Sequence, residues 1–130
     1  MKQVIKPIFF LSLILLIIGC KKETYDLKDE FILDFNRAVF IKIEGIEYEV
    51  KFTSLEEDSR CPPDVYCYWA GEVAVKLNLN NDTDFIIGHH SSYLSTAEYK
   101  NHTIRLLEVN YDKKKNFSKE KHCSIKIRVD

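Results

Sequence analysis

The feature that most constrains this chain is hydrophobic alternation with a period of two. Ile46, Tyr48, Val50 and Phe52 alternate with Glu47, Glu49, Lys51 and Thr53. Val73, Val75, Leu77 and Leu79 alternate with Glu72, Ala74, Lys76 and Asn78, and Cys123, Ile125, Ile127 and Val129 with Ser124, Lys126, Arg128 and Asp130. Successive side chains of a strand point to opposite faces, so each run buries one face and wets the other. One-sided burial belongs to antiparallel sheets, because parallel sheets are covered on both faces.

Turn chemistry separates the runs. Glu44-Gly45 divides the apolar stretch Ala38 to Ile43 from the strand at Ile46, and Asn80-Asn81-Asp82-Thr83 closes a hairpin onto Asp84 to Gly88. Asn and Asp tolerate the left-handed backbone such turns need. His102 to Tyr111 is rich in β-formers but alternates less cleanly. Phe31 to Phe35 reads as a further strand, although residues 26–36 also fit a short helix. Ser92 to Lys100 suits a helical turn capped by Ser95 or Thr96, and Lys113-Lys114-Lys115 reads as a solvated loop. About seven short strands without a long helical pattern predict an all-β domain over residues 31–130, a single antiparallel β-sandwich or small barrel.

Ahead of these strands, Met1 to Cys20 carries an address. Lys2 and Lys6 precede an apolar run, Ile8 to Ile18, broken only by Ser12. The run is about half of the roughly 20 residues a spanning helix needs, and it fits the hydrophobic region of a cleaved signal. Ile17-Ile18-Gly19-Cys20 resembles the lipobox of signal peptidase II substrates, with small Gly19 giving access to the bond before Cys20. The resemblance implies that residues 1–19 are a lipoprotein signal peptide and that Cys20 carries the lipid, a diacylglyceryl group with palmitate-type chains. An ordinary secretory signal and a short uncleaved anchor are the competing readings. Lys21 in place of Asp lacks the inner-membrane retention signal of enteric bacteria, and the Lys-rich, acid-containing start resembles the surface-export signal of Bacteroidota lipoproteins. The expected location is the cell envelope, anchored to the outer membrane on its periplasmic or surface face. Residues 20–30, charged and nearly free of apolar side chains, read as a lipidated tether.

Removing residues 1–19 leaves 111 of 130, room for one domain and one core. It also takes two of the 19 basic residues, leaving 17 against 20 acidic ones, a net charge of −3. That is no footprint for nucleic acid.

Export implies an oxidising compartment for the cysteines other than Cys20. Cys123 falls on the apolar face of the last strand, where a cysteine behaves as a small hydrophobe. Cys61 and Cys67 flank a short Pro-containing loop and are the natural pair, with a bridge from either one to Cys123 as the competing arrangement. The stretch from Asp58 to Gly71, Asp-Ser-Arg-Cys-Pro-Pro-Asp-Val-Tyr-Cys-Tyr-Trp-Ala-Gly, resembles the Asp-Ser-Arg-Cys-Pro…Cys-x-Trp-Ala-Gly signature of a family of small uncharacterised secreted and lipid-anchored bacterial domains. The resemblance extends from the strand at Ile46 to the last strand and includes Thr103-Ile104-Arg105-Leu106-Leu107. It supports the Cys61–Cys67 pairing and implies no particular activity.

Two readings of this loop follow from its chemistry. As scaffold, the bridge and prolines stiffen it, Gly71 permits a corner, Trp69 packs across the disulfide or caps the core, and Arg60 bonds loop carbonyls or pairs with Asp58 or Asp64. As a binding surface, Tyr66, Tyr68 and Trp69 form a pre-ordered aromatic patch, with Arg60 and Asp64 supplying polar contacts.

Catalytic and metal readings are weaker. His89 and His90 are adjacent and point to opposite faces of a strand, as do His122 and Cys123, and no ligand pair has structural-zinc spacing. A site from His89 or His90 with His102 and His122 would need the fold to assemble it. Ser91-Ser92 beside the histidines has no nucleophile-elbow context, and Glu56-Glu57-Asp58 with Asp64 lacks EF-hand spacing. With four glycines no phosphate-cradling loop is available, and no cofactor is implied. The expected function is a non-enzymatic, lipid-anchored envelope module that binds an unknown protein or envelope ligand or supports a structure. An envelope ligand- or metal-binding protein is the runner-up, and a small hydrolase comes third.

Overall fold

A computed structural model describes residues 21–61, 66–111 and 123–130. They form nine strands: β1 (Thr24–Asp26), β2 (Glu30–Asp34), β3 (Ala38–Ile43), β4 (Ile46–Asp58), β5 (Val73–Leu79), β6 (Thr83–His89), β7 (Thr96–Tyr99), β8 (His102–Tyr111) and β9 (Cys123–Val129). One sheet has the order β1-β3-β4-β5-β6 and the other β2-β9-β8-β7. The described residues hold strands and no helix, so the fold is all-β, and because neither sheet closes on itself the barrel alternative is not realised. The two inner faces supply one core, which includes Phe31 and Leu33, Val39 and Ile41, Val50 and Phe52, Val75 and Leu77, Ile104 and Leu106, and Ile125 and Ile127. Complete burial of a side chain such as Leu77 stabilises the fold by about 1.5–3 kcal/mol.

The hairpins follow their turn residues. Glu44 and Gly45 both have positive φ (51° and 83°) and join Ile43 to its partner Ile46 in a two-residue turn whose twist matches the strands. Asn80 accepts a hydrogen bond from the Glu49 amide and donates its own to the Glu49 carbonyl, tying the β5–β6 turn to β4.

Several expectations are corrected. There are nine described strands, against about seven expected. The stretch read as a helical turn holds β7, joined to β8 by the positive-φ pair Lys100-Asn101. Four residues are too few for alternation to announce a strand. The helical alternative for residues 26–36 gives way to β2, paired antiparallel with β9. The uneven alternation of His102 to Tyr111 comes from a register shift between Leu106 and Glu108. Ile104 and Leu106 are buried before it and Val109 after it, so the buried parity changes within one strand.

The tether is also shorter than expected. Thr24–Asp26 pairs in parallel with Phe40–Lys42, Tyr25 stacks on Phe31 at 4.5 Å, and the Lys28 amide donates to the Val129 carbonyl. Tyr25 and Leu27 are the apolar handles that dock this charged segment on the core.

Register also sets the shape of one end of the sandwich. Ala38 faces Lys51, and β4 continues for seven residues to Asp58, roughly 20 Å of strand, paired there with β5. Because β1 runs parallel to β3, Lys21 enters the fold at the same end.

Candidate functional site

The loop from Ser59 to Glu72 joins β4 to β5 at that protruding end. Its mouth is clamped: the Ser59 amide donates to the Glu72 carbonyl and the Glu72 amide to Ser59 Oγ, both at 2.8 Å. Gly71 has a φ of +71°, and a Cβ there would lie 2.4 Å from the Ser59 carbonyl oxygen and 2.6 Å from Arg60 Cα. Only glycine fits that left-handed, crowded corner. Cys61 and Cys67 are disulfide-bonded with a Cα–Cα distance of 5.9 Å. Cys123 is buried on β9 and takes no part in the bridge.

The loop carries its aromatic residues outward. Tyr66, Tyr68 and Trp69 are 87%, 96% and 62% exposed. The two tyrosine rings meet edge to face at 5.8 Å, and the Trp69 indole N–H donates to the Ser59 carbonyl at 3.1 Å. Trp69 is therefore held by its polar edge while most of its ring meets solvent, and it does not cap the core, one of the two placements the scaffold reading allowed. Leu94, 76% exposed, belongs to the adjoining loop after β6. Its neighbours Ser91 and Ser92 both donate hydroxyl bonds at 2.9 Å to the Glu72 carboxylate, which binds the two loops together. Leu94 lies in a stretch read as a helical turn, whose pattern gave no sequence signal of this placement.

Arg60 turns inward and pairs with Asp58, as the scaffold reading of the loop expected, so most of its guanidinium is engaged within the fold. Its Nε and Nη2 donate to the two carboxylate oxygens of Asp58 at 2.8 and 2.9 Å, and Nη1 donates to the Val109 carbonyl of the other sheet. Side-chain exposure is only 20% for Arg60 and 6% for Asp58. Asp64, the other expected polar contact, lies outside the described residues, as do Cys20, His122 and the lysines at 113–115.

The described carboxylates Glu56, Glu57, Asp58 and Glu72 are occupied within the fold. Glu56 pairs with Lys76 at 3.2 Å and accepts from Ser54, Glu57 accepts from the Tyr93 hydroxyl, and Asp58 holds Arg60. Hydrogen bonds from Ser91 and Ser92 hold the Glu72 carboxyl below its ordinary value, and the bond from Ser54 does the same for Glu56. Burial, aided by the charges of His90 and Arg60, lowers the pKa of His89. His102, by contrast, sits at the opposite end with Nδ1 3.3 Å from the Asp130 carbonyl, so the fold does not assemble it with His89. Among the described residues no group of three or more His, Cys, Asp or Glu side chains converges.

One groove of about 310 Å³ opens beside the start of the described chain, between Lys21–Glu23, Ile32–Asp34 and Arg37–Phe40. Two of its three cations have partners: Lys22 pairs with Glu47 and lies over the Phe40 ring, and Arg37 pairs with Asp34 at 3.6 Å. No protein-family model, curated protein or solved structure matches the chain.

Proposed function

We propose that this protein is a non-enzymatic, lipid-anchored domain of the bacterial cell envelope that uses the Cys61–Cys67 loop as its contact surface. The observation that carries the reading is the exposure of Tyr66, Tyr68 and Trp69 on a loop fixed by a disulfide, the Ser59–Glu72 clamp and the Trp69 hydrogen bond. Large aromatic side chains on a rigid support lose little conformational freedom on binding, so more of the contact energy remains as affinity. Their exposure in an otherwise well-filled fold supports a surface kept for contact. The lipobox-like residues ending at Cys20 and the disulfide, which suits an oxidising compartment, support an envelope location. The resemblance of the Asp58–Gly71 stretch to small lipid-anchored bacterial domains agrees with it.

Photo-crosslinking in intact cells tests this function. A photoreactive amino acid at position 68 is expected to give defined adducts, whereas the same group at Ile86, exposed on a sheet face, gives none. Equal, diffuse labelling from both positions would count against the loop as a contact surface.

A further inference from the structure

The partner of the aromatic loop can be narrowed by asking which way the loop points relative to residue 21. Glu23 already accepts a hydrogen bond from the Phe40 amide, and Lys22 is held by Glu47 and the Phe40 ring. Almost no slack therefore separates the sheet from residue 20, whose Cα lies one peptide unit, about 3.8 Å, from that of Lys21. Register places Lys21 at the end of the sandwich from which β4 protrudes, and the Cys61–Cys67 loop is carried on that protrusion. A lipid on residue 20 would hold this end toward the membrane, and because β4 carries the loop roughly 20 Å beyond the level of Lys21, the sandwich must lean for both to meet the lipid surface.

We propose that the Cys61–Cys67 loop seats Tyr66, Tyr68 and Trp69 in the headgroup region of the membrane that carries the anchor, so that the lipid surface itself is the loop's partner. The inference rests on the proposed anchor at Cys20. Tyr and Trp suit that depth because an apolar ring carries a polar edge that can stay hydrated. Leu94 adds a purely apolar side chain from the loop that Glu72 ties to this one. Among the described residues charge does not oppose the approach, since Glu56, Glu57, Asp58 and Glu72 are each engaged by Lys76, Tyr93, Arg60 and the Ser91–Ser92 pair. The contact is thus one of rings with an interface and does not need anionic lipid.

Trp69 is the single tryptophan of the chain, so its fluorescence reports on the loop alone. The lipidated protein, purified from cells and reconstituted into zwitterionic phosphatidylcholine vesicles, is compared with the unlipidated Cys20→Ser protein in buffer. Seating at the headgroup–acyl boundary predicts about a threefold fall in iodide quenching in the vesicles, a blue-shifted emission and quenching by lipids brominated high on the acyl chain. A Tyr66→Ser/Tyr68→Ser variant of the lipidated protein, altered only at exposed side chains, is expected to regain most of the iodide quenching. Lipidated protein whose Trp69 is as open to iodide in vesicles as the variant in buffer would overturn the inference and leave the anchor standing. Protection found in native envelope fragments but not in pure lipid vesicles would assign the loop to a protein partner and overturn it equally. A mature protein whose mass shows no lipid on Cys20 would remove the anchor and this inference with it.

Discussion

Arg60 grips both carboxylate oxygens of Asp58, at 2.8 and 2.9 Å, and the same guanidinium reaches the Val109 carbonyl of the opposite sheet. The pair fastens the protruding end of β4 to the rest of the sandwich. Arg60→Ala leaves a nearly buried carboxylate and a carbonyl without this donor. Breaking a fully buried pair costs about 3–5 kcal/mol, and the cost here is lower because Arg60 is partly exposed. Arg60→Lys is expected to recover little, since an ammonium lacks the planar fork. Urea denaturation of the two variants measures both effects.

Gly71 and Gly45 both have positive φ, but only Gly71 is crowded. Gly45→Ala meets nothing within 4 Å and should cost only the left-handed backbone penalty, about 1–2 kcal/mol. Gly71→Ala adds a clash with the Ser59 and Arg60 backbone, so its cost should exceed that of Gly45→Ala and the loop should shift. Comparison of midpoints, with Trp69 emission as a loop reporter, checks the contrast.

Paired Cys61→Ser and Cys67→Ser substitutions remove the closure of a seven-residue loop, worth about 2–2.5 kcal/mol in the chain-entropy model. Cys123 should resist alkylation in the folded protein and react at the rate of unfolding, because β9 places it in the core. Timed labelling followed by peptide mapping distinguishes this from rapid surface reaction.

Stability should fall in acid in two separable ranges. His89 has its pKa lowered from 6.5, chiefly by burial, so the unfolded chain takes up its proton first and this contribution starts to decline as pH drops below 6.5. Glu72 is held below 4.5, first by the Ser91 hydrogen bond and then by that of Ser92. Its contribution is complete above pH 4.5 and is lost as pH falls through the folded value. His89→Gln should abolish the upper range, and Ser91→Ala/Ser92→Ala should move the Glu72 titration, followed by NMR, back toward 4.5.

The strands at Ile46, Val73 and Cys123 were legible because alternation is written between residues two apart, and burial of one face is its direct consequence. The turn at Glu44-Gly45 and the close Cys61–Cys67 pair were legible for the same reason, each being settled within a few residues. Sequence alone could not place the bulge between Leu106 and Glu108, which changes the buried parity of β8 and depends on how β9 pairs with it. Nor could it recruit Thr24–Asp26 into a sheet, since that strand has little apolar character and is held by Phe40 and by Phe31 under Tyr25. The candidate site divides along the same line. Its aromatic residues and its bridge stood in one short stretch of sequence. The inward turn of Arg60 toward Val109, the link from Glu72 to the Leu94 loop and the shared end of loop and Lys21 needed the assembled fold. Local pattern determined which face of each strand is buried; the choice of neighbours, and with it the direction in which the loop projects, is fixed by contacts between residues far apart in the chain.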